Sequence, residues 1–126
     1  MKRTAAAIFL LAAAVAISAW SGYIFKREMK ALLHSVEEII DCAETDSDSV
    51  LNKKTGNLLR QWEKSSVILH SLVMHEGMDE LEEDITSLPM LIEHSDREEF
   101  KIKCIEAINQ IMNLLNAEKI NIENIL

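Results

Sequence analysis

Four histidines, His34, His70, His75 and His94, are the side chains of this chain best suited to metal or proton chemistry. His75-Glu76 begins like the His-Glu-x-x-His zinc motif, but Asp79 stands where the second histidine is needed, so the motif fails. His70 and His75 lie five apart, roughly 140° around a helix of about 3.6 residues per turn, and cannot chelate one ion from the same face. Asp46-x-Asp48 begins like a calcium loop, yet Leu51 occupies the sixth position, where glycine is required. A Glu-x-x-His pair, the signature of a di-iron bundle, does not occur. Gly22, Gly56 and Gly77 are too far apart to cradle a phosphate. No metal-ligating, cofactor-binding or catalytic residue is therefore assigned.

The remaining reactive groups are read in structural terms. Cys42 and Cys104 are too distant for a redox pair. Cys104 falls on an apolar helix face, where a thiol packs as a small hydrophobe; in an exported domain the two could instead form one disulfide that closes a long loop. Glu76, Asp79, Glu80, Glu82, Glu83 and Asp84 form a dense carboxylate run. An acid/base pair can hide in such a run, but without an apolar pocket or a positioned partner the expectation is a solvated face. Trp62 and Phe100 are the only aromatics beyond the amino-terminal stretch, too few for base-stacking platforms. The chain carries 13 Lys+Arg against 21 Asp+Glu, a net charge of -8. Such a balance repels nucleic acid, whose binding rests on neutralising phosphates. The expectation is a protein that is not an enzyme, uses no cofactor and binds no nucleic acid.

These side chains are positioned by two unlike parts. Residues 5–25 are uncharged, AAAIFLLAAAVAISAWSGYIF, bracketed by Lys2-Arg3 and Lys26-Arg27. As a helix they extend about 31 Å, which matches a hydrocarbon core of about 30 Å. Trp20 and Tyr23 stand near one end, where amphipathic rings prefer the headgroup level. The division expected is 1–25, a basic leader and single transmembrane helix acting as a signal anchor, and 26–126, an acidic domain. A cleaved signal peptide is the alternative, with small residues around Ala16-Ile17-Ser18 and Ala19-Trp20-Ser21. The apolar run continues through Tyr23-Ile24-Phe25, longer than the usual ~7–15-residue core of such a peptide, and favours the anchor. Lys2, Arg3 and the free amine face Lys26, Arg27 and Lys30 across the span, close to a tie by the positive-inside count; the four-residue leader resembles a signal anchor, and a cytoplasmic amino end with the domain exported is preferred.

The acidic part reads as all-α, a small antiparallel bundle of about four helices. Met29, Leu32, Leu33, Val36, Ile40 and Ala43 mark a first helix that continues from the membrane segment. Thr45-Asp46-Ser47-Asp48-Ser49 is a turn. Leu51, Leu58, Leu59, Trp62, Leu69, Leu72 and Val73 mark a second helix from about Asp48 to His75, with Gly77 as its left-handed cap. Asp79 with Glu82 caps a third helix, marked by Met78, Leu81, Ile85, Leu88 and Ile92 and kinked at Pro89. Ser95-Asp96-Arg97-Glu98 is a capping box that starts a fourth, whose face is Cys104, Ile105, Ile108, Ile111, Met112 and Leu115, with Glu99 and Lys103 paired outside. Ile120, Ile122, Ile125 and Leu126, apolar at near-alternate positions, predict an extended C-terminal tail strapped along the bundle.

The basic start and span, the acidic turn, Trp62-Glu63-Lys64, His75-Glu76 with Asp79 and Leu81, and the run Ile122 to Leu126 resemble the small bacterial proteins of the domain-of-unknown-function 4363 family. The likeness covers nearly the whole chain and departs from the family habit at Pro89. It implies membrane anchoring and a helical domain, and no activity. It also singles out Trp62, His75 and Asn124, read respectively as a core residue, a helix-end hydrogen bonder and a tie for the tail; His75 as a pH sensor is the sharper alternative. The function expected is a single-pass cell-membrane protein, held in the lipid bilayer through residues 5–25. It presents an acidic, extracytoplasmic interaction domain to an unknown protein partner, or to a second copy of itself as a homo-oligomer. The alternatives are a ligand-sensing bundle with a cavity near Gly56, Trp62, Ser65 and Ser66, or a secreted helical protein.

Overall fold

The computed structural model describes every residue except 46, 73–75 and 126, and the side chains outside 46, 71–76 and 118–126. Among the described residues five helical segments follow in order: α1 (Lys2–Cys42), α2 (Asp48–Leu72), α3 (Glu76–Thr86), α4 (Leu88–Glu93) and α5 (Arg97–Ile125). No strand occurs among the described residues.

α1 runs unbroken for 41 residues. Its first half is built of Ala, Ile, Leu and Val without a breaker and exposes apolar side chains all round, Phe9 at 73%, Leu10 at 67% and Trp20 at 66%. The second half is amphipathic. Phe25, Met29, Leu32, Val36 and Ile39 alternate steps of four and three and are buried to 2% exposure or less. That spacing keeps one stripe turned inward over the whole bundle. The core therefore reaches back to the last residue of the stretch read as the span.

After the turn, the backbone N–H of Val50 donates to Ser47 Oγ at 3.4 Å, and α2 starts where a hydroxyl can take up an orphan amide. Leu51, Thr55, Leu58, Trp62, Ser65 and Leu69 repeat the same four–three rhythm and are all buried. Packing thus holds the poor helix formers Asn52, Gly56 and Asn57 in helical form. α2 is described to Leu72; the predicted extension through Val73 to His75 lies outside the described residues.

Two helix starts differ from expectation. Gly77 is not a left-handed cap: it sits inside α3, which begins at Glu76, ahead of the predicted Asp79–Glu82 pair. Its value is the absence of a side chain, because a Cβ there would run into Gln110 Nε2 and Leu114 Cδ2 of α5. At the other start, Ser95 takes a positive φ of 57°, and Asp96 is the cap, its Oδ1 accepting the N–H of Glu99 at 3.1 Å. The cap moved one residue because the chain leaves α4 through a left-handed turn at Ser95, which aims the Asp96 carboxylate at the new helix. Pro89 acts as foreseen. It divides the third helix at Ser87 and falls in the first turn of α4, where its missing N–H costs nothing.

α5 presents Phe100, Cys104, Ala107, Ile111 and Leu114 to the core, while Ile105 and Met112, predicted inside, are 48% and 43% exposed. Apolar residues occupy more than half its circumference, so periodicity alone left the seam ambiguous. The small side chains of Cys104 and Ala107 at the centre of the seam let neighbouring helices approach closely. The predicted extended tail is instead the end of α5, helical to Ile125. With neither Gly nor Pro after Leu115 to stop it, adding turns to an existing helix is cheaper than unwinding it. α5 packs against α1, its start held at the end of α1 by Arg97, and against α3 and α4; α2 packs against α1, α3 and α4 and closes the bundle.

Candidate functional site

The acidic run at the start of α3 is not uniformly solvated. Asp79, Glu80, Glu82 and Glu83 are exposed, but Asp84 is buried to 9%. The physical reason is register: Asp84 stands three residues after Leu81 and four before Leu88, both fully buried. A face that points Leu81, Ile85 and Leu88 inward necessarily turns position 84 toward α5. That signal was present in the spacing of the run, and charge counting missed it.

Across from Asp84, α5 presents Lys103 and Glu106. Lys103 Nζ lies 3.7 Å from Asp84 Oδ1 and 3.1 Å from Glu106 Oε2. The ammonium group thus pairs with these two carboxylates rather than forming the expected pair with Glu99 among the described contacts. Desolvation, followed by a hydrogen bond to the Glu106 carboxyl, pushes the Asp84 carboxyl up to about 6, against the partial relief from Lys103. Lys103 is raised by its hydrogen bond to Glu106. Beside this group a cleft of about 350 Å³ is lined by Glu80, Glu83, Asp84, Lys103, Glu106, Asn109 and Gln110. It is a polar groove whose buried Asp84 carboxyl holds its proton more tightly than an ordinary carboxylate. It contains no nucleophile, and no His/Cys/Asp/Glu group of metal-binding form occurs among the described residues.

A second, smaller cleft of about 120 Å³ lies between α1 and α2, with Ser35, Lys54 and Gln61 in its lining. Ser35 Oγ donates to Gln61 Oε1 at 2.7 Å, and Lys54 Nζ donates to Cys42 Sγ at 2.8 Å. Trp62 is 2% exposed, a core residue as read. Its Nε1 and the Thr55 hydroxyl, two turns earlier on the same face, have no hydrogen-bond partner among the described residues. Cys42 and Cys104 are both free thiols, and burial pushes the Cys104 thiol up to about 12.

A family model matches the chain from within the apolar stretch onward: residues 19–125 match the domain of unknown function DUF4363. The chain belongs to the DUF4363 family. No curated protein and no solved structure matches it. Of the positions singled out by the family resemblance, Trp62 fills the core of this DUF4363 domain. His75 lies outside the described residues. Asn124 falls within the helical backbone of α5 rather than in an extended tail. Among the described residues, α1 is the one helix long and apolar enough to cross a membrane.

Proposed function

We propose that this DUF4363 protein is a single-pass membrane protein that holds an acidic helical bundle at the cell surface for a protein partner, with binding rather than catalysis as its role. The observation that carries the reading is the contrast within one unbroken helix. Residues before Trp20 show water an apolar surface on every side, whereas from Phe25 onward the same helix buries one stripe and solvates the rest. A helix apolar all round is stable only inside lipid or protein. Residues 26–126 carry a net charge of -10, which keeps most of the bundle surface away from anionic headgroups and offers it to a basic partner.

The orientation proposed places the amino end in the cytoplasm and the bundle outside it. The partner is a protein with a complementary basic face or a second copy of this chain. Cross-linking in native membranes, followed by identification of the captured species, tests the reading. A reproducible partner whose capture falls with rising salt is expected. Recovery of self-contacts alone counts against a scaffold for another protein.

A ligand-sensing role has one observation in its favour, the α3–α5 cleft around Asp84. The cavity anticipated near Trp62 is not where that cleft lies.

A further inference from the structure

α5 carries a second stripe, opposite the one that faces the core. Phe100, Cys104, Ala107, Ile111 and Leu114 point inward. On the far side of the same helix Ile102, Ile105 and Met112 are 47%, 48% and 43% exposed, with Asn109 and Asn116 exposed on the same line. The steps between these five positions are three, four, three and four. That is the period of a coiled-coil seam, with Ile102, Asn109 and Asn116 at heptad position a and Ile105 and Met112 at position d. The line is about 21 Å long, and the partly buried Ile108 and Leu115 border it on one edge.

The charge around this line differs from that of the rest of the bundle. Residues 26–126 carry a net -10, but residues 97–117 set Arg97, Lys101 and Lys103 against Glu98, Glu99 and Glu106, a net of zero. A basic partner is drawn to the acidic surfaces of α1 and α3 rather than to this one. The neutral stripe is, moreover, complementary to itself. Lys101 falls at heptad position g and Glu106 at position e, so in a parallel pair each Lys101 meets Glu106 of the other copy. Within one chain the two side chains pair with Glu44 and Lys103, solvated contacts of small worth that can be shared or exchanged.

We propose that this stripe docks a second copy of the chain: two bundles pack α5 against α5 in parallel, related by a two-fold axis along the membrane normal. The inference rests on the anchor reading, which gives both copies one orientation so that their α5 helices run the same way, and it names the partner of this face. Asn109 at position a suits a parallel two-stranded pair and fixes its register, because only one alignment brings the two amides together. Confinement to the bilayer raises the effective concentration of the copies, so a seam of two heptads suffices.

The test uses the full chain carrying Cys42→Ser and Cys104→Ala, reconstituted at high lipid excess in phosphatidylcholine vesicles. Single cysteines are placed at Ile105→Cys, at Met112→Cys or, as a control on α2, at Val67→Cys, where the native side chain is 72% exposed. Disulfide dimers are measured after brief oxidation with copper phenanthroline, and flotation of the vesicles through a density gradient reads the anchor separately. Dimer formation at least about fivefold faster at positions 105 and 112 than at 67 is expected, because position 67 meets its counterpart only by collision. Ile102→Lys, on the exposed side of α5, is expected to bring the rate at 105 down to that at 67 with the thermal melt unchanged. An undiminished rate in that variant overturns the seam. A floated chain that cross-links no faster at 105 and 112 than at 67 overturns the second copy, leaves the stripe to a different protein and leaves the anchor standing. A chain that does not float overturns the anchor reading and, with it, the shared orientation.

Discussion

The guanidinium of Arg97 joins the two ends of the bundle's first half: it donates to the carbonyl of Ala43, at the close of α1, and through Nη2 to Asp48 Oδ1 at 2.7 Å, at the start of α2. One side chain thus fixes where α5 begins relative to the α1–α2 turn. Lys101 supports it one turn later by pairing with Glu44, which holds that carboxyl below its usual range.

Arg97→Ala frees a carbonyl and a carboxylate at that corner. A loss of about 1–2 kcal/mol in unfolding free energy is expected, because charged hydrogen bonds contribute about 1.5–3 kcal/mol each and the site is partly solvated. Arg97→Lys recovers little of it, since an ammonium group cannot fork between two acceptors. Chemical denaturation of both variants checks the order.

Asp84 makes stability depend on pH in the direction opposite to ordinary acid unfolding. Its carboxyl rises from 3.8 to about 6 on folding, so the folded state binds the proton more tightly than the unfolded one. Stability from this group is lowest above pH 6, grows as pH falls through 6 and is complete near the unfolded value of about 4. Asp84→Asn removes that slope. The variant is expected to exceed the parent by about 1 kcal/mol at pH 7.5 and to lose the advantage by about pH 5, allowing for the lost contact with Lys103. Denaturation curves at a series of pH values read this difference directly.

The two glycines of the bundle, Gly56 and Gly77, predict opposite outcomes. At Gly56 a Cβ meets only the far end of Arg60 at 3.9 Å, and the residue is helical. Gly56→Ala is expected to stabilise by about 0.5–1 kcal/mol through helix propensity. At Gly77 a Cβ meets Gln110 and lies 3.0 Å from Leu114 Cδ2, and the hydrogen bond from Gln110 Nε2 to the Gly77 carbonyl at 3.3 Å is disturbed. Gly77→Ala is expected to destabilise by about 1 kcal/mol despite the same propensity gain. Thermal melts of the pair separate local propensity from packing.

That contrast also shows what was legible in the residues and what was not. The α1 and α2 stripes are strict four–three repeats flanked by charge, so Met29, Val36, Leu58 and Trp62 could be placed inside from spacing alone. Pro89 announced the break between α3 and α4 by its missing amide. Gly77 carries no sign of its neighbour on α5, since close approach is a property of two helices and not of one. α5 was ambiguous for the same reason: Ile105 and Cys104 are equally apolar, and only the other helices decide which faces them. The tail after Leu115 has Ile120 and Ile122 two apart and Ile122 and Ile125 three apart, a pattern that fits a strand or a helix until the preceding helix is known to continue. Asp84 was hidden by being counted with its exposed neighbours rather than by its position.

The cysteines should separate by burial. Cys42 is half-buried with Lys54 beside it, whereas Cys104 is fully buried with its thiol pushed up to about 12. A thiol-reactive probe is expected to label Cys42 in the folded protein and Cys104 only on unfolding, because the reactive species is the thiolate. Equal labelling rates without denaturant would show that α5 opens far more readily than its packing implies.

As proposed, α1 crosses a bilayer and leaves the bundle on one side. Single cysteines at Lys2→Cys and Val50→Cys, in a chain lacking the native thiols, are exposed to a membrane-impermeant maleimide in sealed vesicles of native membrane. One position is expected to label and the other only after detergent, whichever way the chain is oriented. Labelling of both before detergent, or of neither, or a mature chain that begins after the apolar stretch, would contradict it.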